Sequence, residues 1–268
     1  MVNVSFYMSV NDFKNNKLNN NSSINCTDKD FIRYLINLGA FSNARLSFNG
    51  MKFYFSLVKM AIKEKNGIFE ITDDYYNAEA TIKTAISYFI GSMTAYAIAE
   101  KVHKVPLLFH LKDPIIKNIT RYKGYNNKSP DYFGLKDFDF STPILIEAKG
   151  TYRSNLATST AFKAKDQVNA IRSIDFTNSL IKITNFDRHV VGAYFKKREL
   201  SLTNLIGFRL ELTPSATFFD RLISDSKGFK LQMIQKGFYA DGPIFYSYNP
   251  MKTVQDVLVF TTIGNKLE

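Results

Sequence analysis

Two charged residues close a run of large apolar residues in the middle of the chain. The apolar run 144–146 is followed directly by Glu147, Ala148 and Lys149. In an extended strand, Glu147 and Lys149 would project to the same side, because side chains alternate between the two faces. Burial of two charges at the end of an apolar strand is costly unless it serves a function. The pair is therefore a candidate reaction centre.

A second carboxylate could reach the same place. Asp131 precedes a short apolar segment, and if that segment lies beside the strand, its carboxylate can converge with that of Glu147. Two carboxylates suit a hard cation such as Mg²⁺ or Mn²⁺, which keeps bound waters and can accept a phosphate oxygen. Lys149 could stabilise developing negative charge, or, with a lowered pKa, orient or deprotonate the attacking water. These residues predict metal-dependent phosphodiester hydrolysis; the alternative is an exposed strand end with a surface ion pair.

The elements that would position these residues follow one another as helix, strand, strand, strand, helix and strand. This order predicts an α/β fold with a mixed central sheet flanked by helices. The predicted bounds are a helix over 80–103, strands over 107–111, 131–134 and 144–149, a helix over 160–174 and a strand over 190–195.

Pro130-Asp131 followed by Glu147-Ala148-Lys149 resembles the PD-(D/E)XK nuclease signature. The core of that family is a helix, a three-stranded meander, a helix and a further strand, which matches the predicted order over residues 80–195 of the 268. The resemblance implies a restriction endonuclease-like core. It also implies that Asp131 and Glu147 bind the metal, with water or the Ala148 carbonyl as a third ligand, and that Lys149 serves the attacking water.

The resemblance extends to the helix after the catalytic strand, where many family members carry a lysine or glutamine. Lys165 and Gln167 occupy the matching place, which implies a catalytic role for Gln167 and nucleic-acid binding for Lys165; ordinary polar helix residues are the alternative. The family often has a glutamate early in its first core helix, which this chain lacks. Glu79 precedes that helix and Glu100 lies near its end, so neither is well placed.

The charge balance favours an anionic partner. Lys and Arg number 35 against 24 for Asp and Glu, a formal net charge of +11, and an excess of this size is typical of nucleic-acid-binding proteins. The cluster Lys196-Lys197-Arg198 is a candidate phosphate-binding element. A solubilising surface charge and a solvated turn are the respective alternatives.

The remaining chain is interpreted as extensions of a nuclease core. We expect an amino-terminal arm and helical extension over 1–79, the core over 80–200 and a carboxy-terminal α/β extension over 201–268. The polar run 15–23 predicts a loop or a poorly ordered arm, and Thr27 is a candidate N-cap of the first helix. Further predicted elements are a helix over 51–65, a strand over 205–212, a helix over 215–224 and a strand over 257–262.

Composition indicates a reducing, cytoplasmic setting. The single cysteine, Cys26, cannot form an intramolecular disulfide, and with three histidines in the chain a zinc cage is implausible. The amino terminus lacks the pattern of a secretory signal. The uncharged stretch 84–99 is shorter than the roughly 20 residues of a membrane span and predicts a buried core helix. We therefore expect no membrane partner.

These observations lead to a Mg²⁺- or Mn²⁺-dependent deoxyribonuclease, expected in a restriction or anti-phage defence system. One alternative is a catalytically weak or inactive nuclease-fold subunit that binds nucleic acid or a partner protein. Another is a toxin-like ribonuclease acting on RNA. A homodimer is plausible, because cutting both strands of a duplex commonly requires two active sites, as is a subunit of a larger defence complex.

Overall fold

A computed structural model of the chain describes residues 1–41, 44, 46–125, 127–136, 139–177 and 182–206. The helices within these ranges are α1 (Val10–Lys14), α2 (Asp28–Leu38), α3 (Phe48–Ala61), α4 (Asp73–Asn77), α5 (Ala80–Lys101) and α6 (Thr158–Asn169). The strands are β1 (Val2–Tyr7), β2 (Asn20–Ile24), β3 (Ile62–Lys65), β4 (Ile68–Ile71), β5 (Leu108–His110), β6 (Ile116–Arg121), β7 (Tyr132–Lys136), β8 (Asp139–Gly150), β9 (Ile171–Phe176), β10 (Lys182–Ile183), β11 (Asp187–Lys196) and β12 (Glu199–Ile206).

The larger of two sheets is mixed. Its strands lie in the order β2, β1, β12, β11, β8, β7 and β5, and the hairpin of β3 and β4 is attached through β4 to β12. β11 runs parallel to β8 and β1 runs parallel to β12, whereas β5, β7 and β8 form an antiparallel meander. A separate sheet of β10, β9 and β6 was not predicted from the sequence.

The two longest helices that pack on β8 lie on opposite faces of the larger sheet. Ile144 and Ile146 of β8 belong to the same core cluster as the buried side of α5, whereas Leu145 belongs to a cluster with β9 residues. On that second side, Val190 of β11 packs with the apolar stripe of α6. The predicted α/β architecture with a mixed central sheet flanked by helices is therefore confirmed.

The amino-terminal segment belongs to the central sheet rather than to a peripheral arm. β1 pairs with β12 from Asn3 to Tyr7, and Val2 and Val4 are buried. β2 begins at Asn20, inside the polar run that predicts a loop, so that prediction is wrong for residues 20–23. The physical reason is backbone pairing, because the exposed polar side chains of β2 leave its backbone free to pair with β1.

The helix predicted over 51–65 ends at Ala61, where the chain turns into the hairpin of β3 and β4. Asn66 and Gly67 connect these strands with φ angles of 54° and 77°, the left-handed backbone typical of a two-residue hairpin turn. The start of α2 was predicted correctly. The Thr27 hydroxyl accepts a hydrogen bond from the Asp30 amide, and the Asp30 carboxylate accepts one from the Thr27 amide.

The helix predicted over 160–174 is also too long, because α6 ends at Asn169. Arg188, which is 3% exposed, donates hydrogen bonds to the carbonyls of Val168 at 3.1 Å and Ile171 at 2.7 Å. Carbonyls at the end of a helix have no partner within the helix, so a buried guanidinium stabilises a helix end there. The chain then continues as β9, and the prediction is wrong beyond Asn169.

Residues on both sides of the boundary predicted at 79 share one core. Tyr34 of α2 stacks on Tyr96 of α5, with ring centroids 4.8 Å apart. The stretch 84–99 lies within α5 and its second half is buried, as predicted. No helix of the described ranges is both long and apolar enough to cross a membrane. The strand predicted over 205–212 falls partly in β12, and the elements predicted over 215–224 and 257–262 lie outside the described residues.

Candidate active site

Asp131, Glu147 and Lys149 converge on one face of two neighbouring strands. β7 begins directly after Asp131 and pairs antiparallel with β8, with Tyr132 opposite Ile146. This register puts Asp131 beside Glu147, and the alternation along β8 puts Lys149 on the same face. The Lys149 ammonium forms an ion pair with Oε1 of Glu147. The neighbouring strand on which Asp131 depends is thus present.

Glu147 is a buried carboxyl group in an electrostatically unfavourable place. Its side chain is 0% exposed, and its Oε2 has no hydrogen-bond partner in the described part of the chain. Burial raises the pKa of Glu147 to about 8; nearby Asp131 acts in the same direction, and Lys149 opposes them. A buried charged oxygen without a partner is costly, and a cation beside it would offset that cost.

The backbone of Ala148 links the two carboxylates. Its N–H donates a 3.0 Å hydrogen bond to Oδ2 of Asp131. Because the N–H and C=O groups of one strand residue point toward the same neighbour, the Ala148 carbonyl faces the same strand edge as Asp131. Asp131, Glu147 and this carbonyl therefore form the set of oxygens from which a cation could take its protein ligands.

The described residues contain no group of three or more His, Cys, Asp or Glu side chains that could hold a metal ion. α5 lies on the opposite face of the sheet, and both of its glutamates are engaged elsewhere. Glu79 accepts a 2.8 Å hydrogen bond from the Thr81 amide at the start of the helix. Glu100 forms an ion pair with Arg33 at 2.7 Å. The expectation that neither glutamate is well placed is confirmed.

Gln167 contacts the loop that leads into Asp131. Its Nε2 donates a 3.1 Å hydrogen bond to the backbone carbonyl of Ser129, two residues before Asp131. Lys165 lies on the same helix and is partly exposed. The contact indicates that Gln167 positions the Asp131 loop. The catalytic role predicted for Gln167 and the nucleic-acid contact predicted for Lys165 remain predictions.

Two further contacts hold the same loop and were not predicted from the sequence. Arg121 donates from Nε to the Lys128 carbonyl at 2.8 Å and from Nη2 to the Ser129 hydroxyl at 2.6 Å. The Lys128 ammonium pairs with Asp166 of α6 at 2.8 Å. These residues are distant in the chain from one another, and no spacing in the sequence indicates that they meet.

Two glycines bring α5 directly onto the strand that carries Glu147 and Lys149. A Cβ atom added at Gly91 would lie 2.7 Å from the Gly150 nitrogen, and one added at Gly150 would lie 1.8 Å from the Ser87 carbonyl oxygen. Both positions therefore exclude any larger residue. A glycine inside a helix can signal such a close approach, and Gly91 is the sequence signal for this contact.

The basic cluster Lys196-Lys197-Arg198 forms the turn between β11 and β12. Arg198 forms an ion pair with Asp73 at 2.5 Å. Val190 of β11 lies opposite Glu147, and Lys196 is six residues farther along, which corresponds to roughly 20 Å. The cluster lies too far from the site for contact with a phosphate that is being cleaved, and its role in binding more distant phosphates remains a prediction.

Comparison with known proteins adds nothing to this geometry. The chain matches no protein-family model, and it has no match among curated proteins or solved structures. The arrangement of Asp131, Glu147 and Lys149 is therefore the basis on which a function can be proposed.

Proposed function

We propose that the chain is a metal-dependent nuclease that hydrolyses phosphodiester bonds of DNA with Mg²⁺ or Mn²⁺. The observation that carries the proposal is the buried Glu147 carboxyl group, whose Oε2 lacks a partner in the described chain while Asp131 and Lys149 lie beside it. A structural ion pair would not require a second carboxylate at this position. The three residue types together suit phosphoryl chemistry.

The donor set fits a hard divalent cation. Asp131, Glu147 and the Ala148 carbonyl would hold it through oxygen atoms, and waters would complete its coordination. The cation, when bound, would acidify a water molecule and neutralise charge on the phosphate. The unpartnered Oε2 of Glu147 is the atom that most needs such a ligand.

The protein side chains would have distinct roles in the reaction. Asp131 is held by the Ala148 amide, so its carboxylate is oriented before any ligand arrives. Lys149 is bound to Glu147 through Oε1 and is partly exposed, so its ammonium can reach toward a phosphate or a water. It would orient the water as a new oxygen–phosphorus bond forms, or stabilise the charge that develops as the bond to the leaving oxygen breaks.

The order of elements supports a restriction endonuclease-like core. α5, the meander of β5, β7 and β8, then α6 and the parallel strand β11 follow the helix, meander, helix and strand of the PD-(D/E)XK plan. The small sheet of β6, β9 and β10 would then be an insertion into that plan. With the net charge of +11, this supports DNA as the substrate and a role in restriction or anti-phage defence in the cytoplasm.

A cleavage assay tests the proposal. Purified protein is incubated with linear, circular and single-stranded DNA in Mg²⁺, Mn²⁺ or EDTA, beside Asp131→Asn, Glu147→Gln and Lys149→Ala. We expect metal-dependent products that all three variants lose. Asp175→Asn changes a carboxylate in the small sheet and Lys163→Ala an exposed lysine of α6, and both should cleave normally. Cleavage that persists in Asp131→Asn and Lys149→Ala would rule out the site.

A second candidate function is a nuclease-fold subunit that binds DNA or a partner protein without cleaving. The observation that favours it is the engagement of Glu79 and Glu100 away from the site, which leaves two carboxylates there. Retention of DNA by the wild-type protein with no product in either metal would favour this candidate. Metal-dependent nicking would exclude it.

A further inference from the structure

A cavity of about 580 Å³ opens on the α5 side of the sheet, next to the proposed active site. Tyr132, which directly follows Asp131 in the chain, is one of its walls and is fully buried. The Tyr132 hydroxyl donates a 2.7 Å hydrogen bond to Ser92 of α5, and its ring lies 4.8 Å from that of His110. Through this wall the cavity is connected to the strand end at which Asp131 stands.

The cavity is lined by aromatic rings, and we call it the aromatic cavity. Tyr88 and Phe41 remain 52% and 41% exposed although they are large apolar groups. Phe89 lies behind Tyr88 with ring centroids 5.5 Å apart, and Tyr54 lies 5.8 Å from Phe89. Two exposed rings beside others that are already packed form a surface on which a flat ligand can stack.

The charge of the cavity favours an anionic ligand. Among the described residues that line it, Lys112 is the one with a formal charge, and it is exposed. Farther along the same aromatic surface, Phe53 is 53% exposed and its ring lies 6.0 Å from that of Phe89. Aromatic rings combined with lysines are the combination that binds single-stranded nucleic acid, because bases stack while the lysines contact phosphates.

We propose that the aromatic cavity receives an unpaired base of a DNA strand whose backbone passes the site formed by Asp131, Glu147 and Lys149. The proposal rests on the proposed function and specifies its substrate as DNA that is single-stranded or locally unpaired. The volume lies within the range of about 300–1,000 Å³ that is usual for small-ligand sites, so a base fits. Tyr88 and Phe41 would stack on the base, and Lys112 would contact a neighbouring phosphate.

The test is a binding measurement that does not depend on cleavage. Fluorescence anisotropy in EDTA compares a labelled oligothymidine with an oligomer of the same length built from abasic units, which keeps the phosphates but lacks bases. The double variant Tyr88→Ala/Phe41→Ala removes both exposed rings. Tyr76→Ala is the matched control, because Tyr76 is 51% exposed and does not line the cavity. Tyr88→Phe keeps the ring.

The double variant should bind oligothymidine about tenfold or more weakly, since each stacked base contributes measurably, while its affinity for the abasic oligomer stays unchanged. Tyr76→Ala and Tyr88→Phe should match the wild type with both probes. An equal loss for both oligomers, or no loss, would overturn the proposal. Dissociation of a dimer by the double variant, seen by sedimentation with DNA affinity unchanged, would overturn it in favour of a second copy as the occupant.

The two proposals fail separately. Normal base-dependent binding with no cleavage in Mg²⁺ or Mn²⁺ would overturn the nuclease function and leave the base-binding cavity. Cleavage that depends on Asp131 and Lys149, combined with unchanged binding by the double variant, would overturn the cavity alone. Thermal melts of each variant confirm that it is folded before its affinity is compared.

Discussion

The Ala148 amide donates a 3.0 Å hydrogen bond to the carboxylate of Asp131, so the strand that carries Glu147 and Lys149 also orients the third charged residue of the site. A carboxylate held by a backbone donor keeps its place when neighbouring charges change. Site variants that preserve shape should therefore alter the chemistry without unfolding the protein. This relationship makes the following expectations about single residues testable.

Lys149→Ala should reduce DNA cleavage by about 100-fold or more, because electrostatic or proton-transfer groups contribute about 10²–10⁴-fold in comparable sites. The thermal stability should change little. Rate measurements at saturating DNA and Mg²⁺ check this, with Lys163→Ala as the exposed control on α6. A loss of less than fivefold would show that Lys149 takes no part in the reaction.

Glu147→Gln should stabilise the metal-free protein above neutral pH. The pKa of Glu147 is raised by burial to about 8 from an ordinary 4.5, so between these values the folded state holds a proton that the unfolded state has lost. Wild-type stability therefore falls as pH rises through this window. The glutamine does not ionise, and its advantage at pH 8 over pH 5 should be on the order of a few kcal/mol. Thermal melts in EDTA across this range would contradict the prediction if the two curves stay parallel.

Divalent metal should stabilise the wild type and not Asp131→Asn. A ligand that binds the folded state alone at 100 times its Kd adds about 2.7 kcal/mol, which corresponds to several degrees in melting temperature for a chain of this size. The shift should grow as pH rises toward 8, because Glu147 must lose its proton to bind metal. Melts with Mn²⁺ check this, and Asp175→Asn should respond like the wild type.

Gln167→Ala should slow cleavage by about tenfold, in the range of outer residues that orient a metal ligand, because it releases the Ser129 carbonyl from its 3.1 Å hydrogen bond. The neighbouring Asp166→Ala is the matched control. It breaks the more exposed pair with Lys128, which should contribute less than about 1 kcal/mol. Equal rates for the two variants would show that the Gln167 contact does not position Asp131.

Gly91→Ala should destabilise the fold by about 1–3 kcal/mol or more, because the added methyl group would lie 2.7 Å from the Gly150 nitrogen. Gly50→Ala, in α3, is a control with more room, since its nearest neighbour would be a Leu46 side-chain atom at 3.3 Å. There the gain in helix propensity is up to about 1 kcal/mol. Denaturant unfolding of both variants measures the difference. Equal effects would contradict the close contact between α5 and β8.

Prediction from the sequence was most successful where local signals were strong. The Thr27 cap, α5 and the strand through Glu147 were identified from capping residues and apolar periodicity. It was least successful where a neighbouring segment ends an element, as Arg188 does for α6. The hairpin turn at Asn66 and Gly67 carried a local signal that the helical pattern before it obscured.

The sequence by itself determined that Glu147 and Lys149 share one strand face, because side-chain alternation is a local property of extended backbone. Only the tertiary structure decided that Asp131 lies beside them, that Gln167 and Arg121 hold its loop, and that the α5 glutamates are engaged elsewhere. The aromatic cavity also depends on the assembled fold. Its rings come from separate segments, and nothing in their spacing distinguishes an exposed ring from a buried one. Hydrophobic burial drives these segments together but is not directional, so their mutual placement is a property of the whole fold.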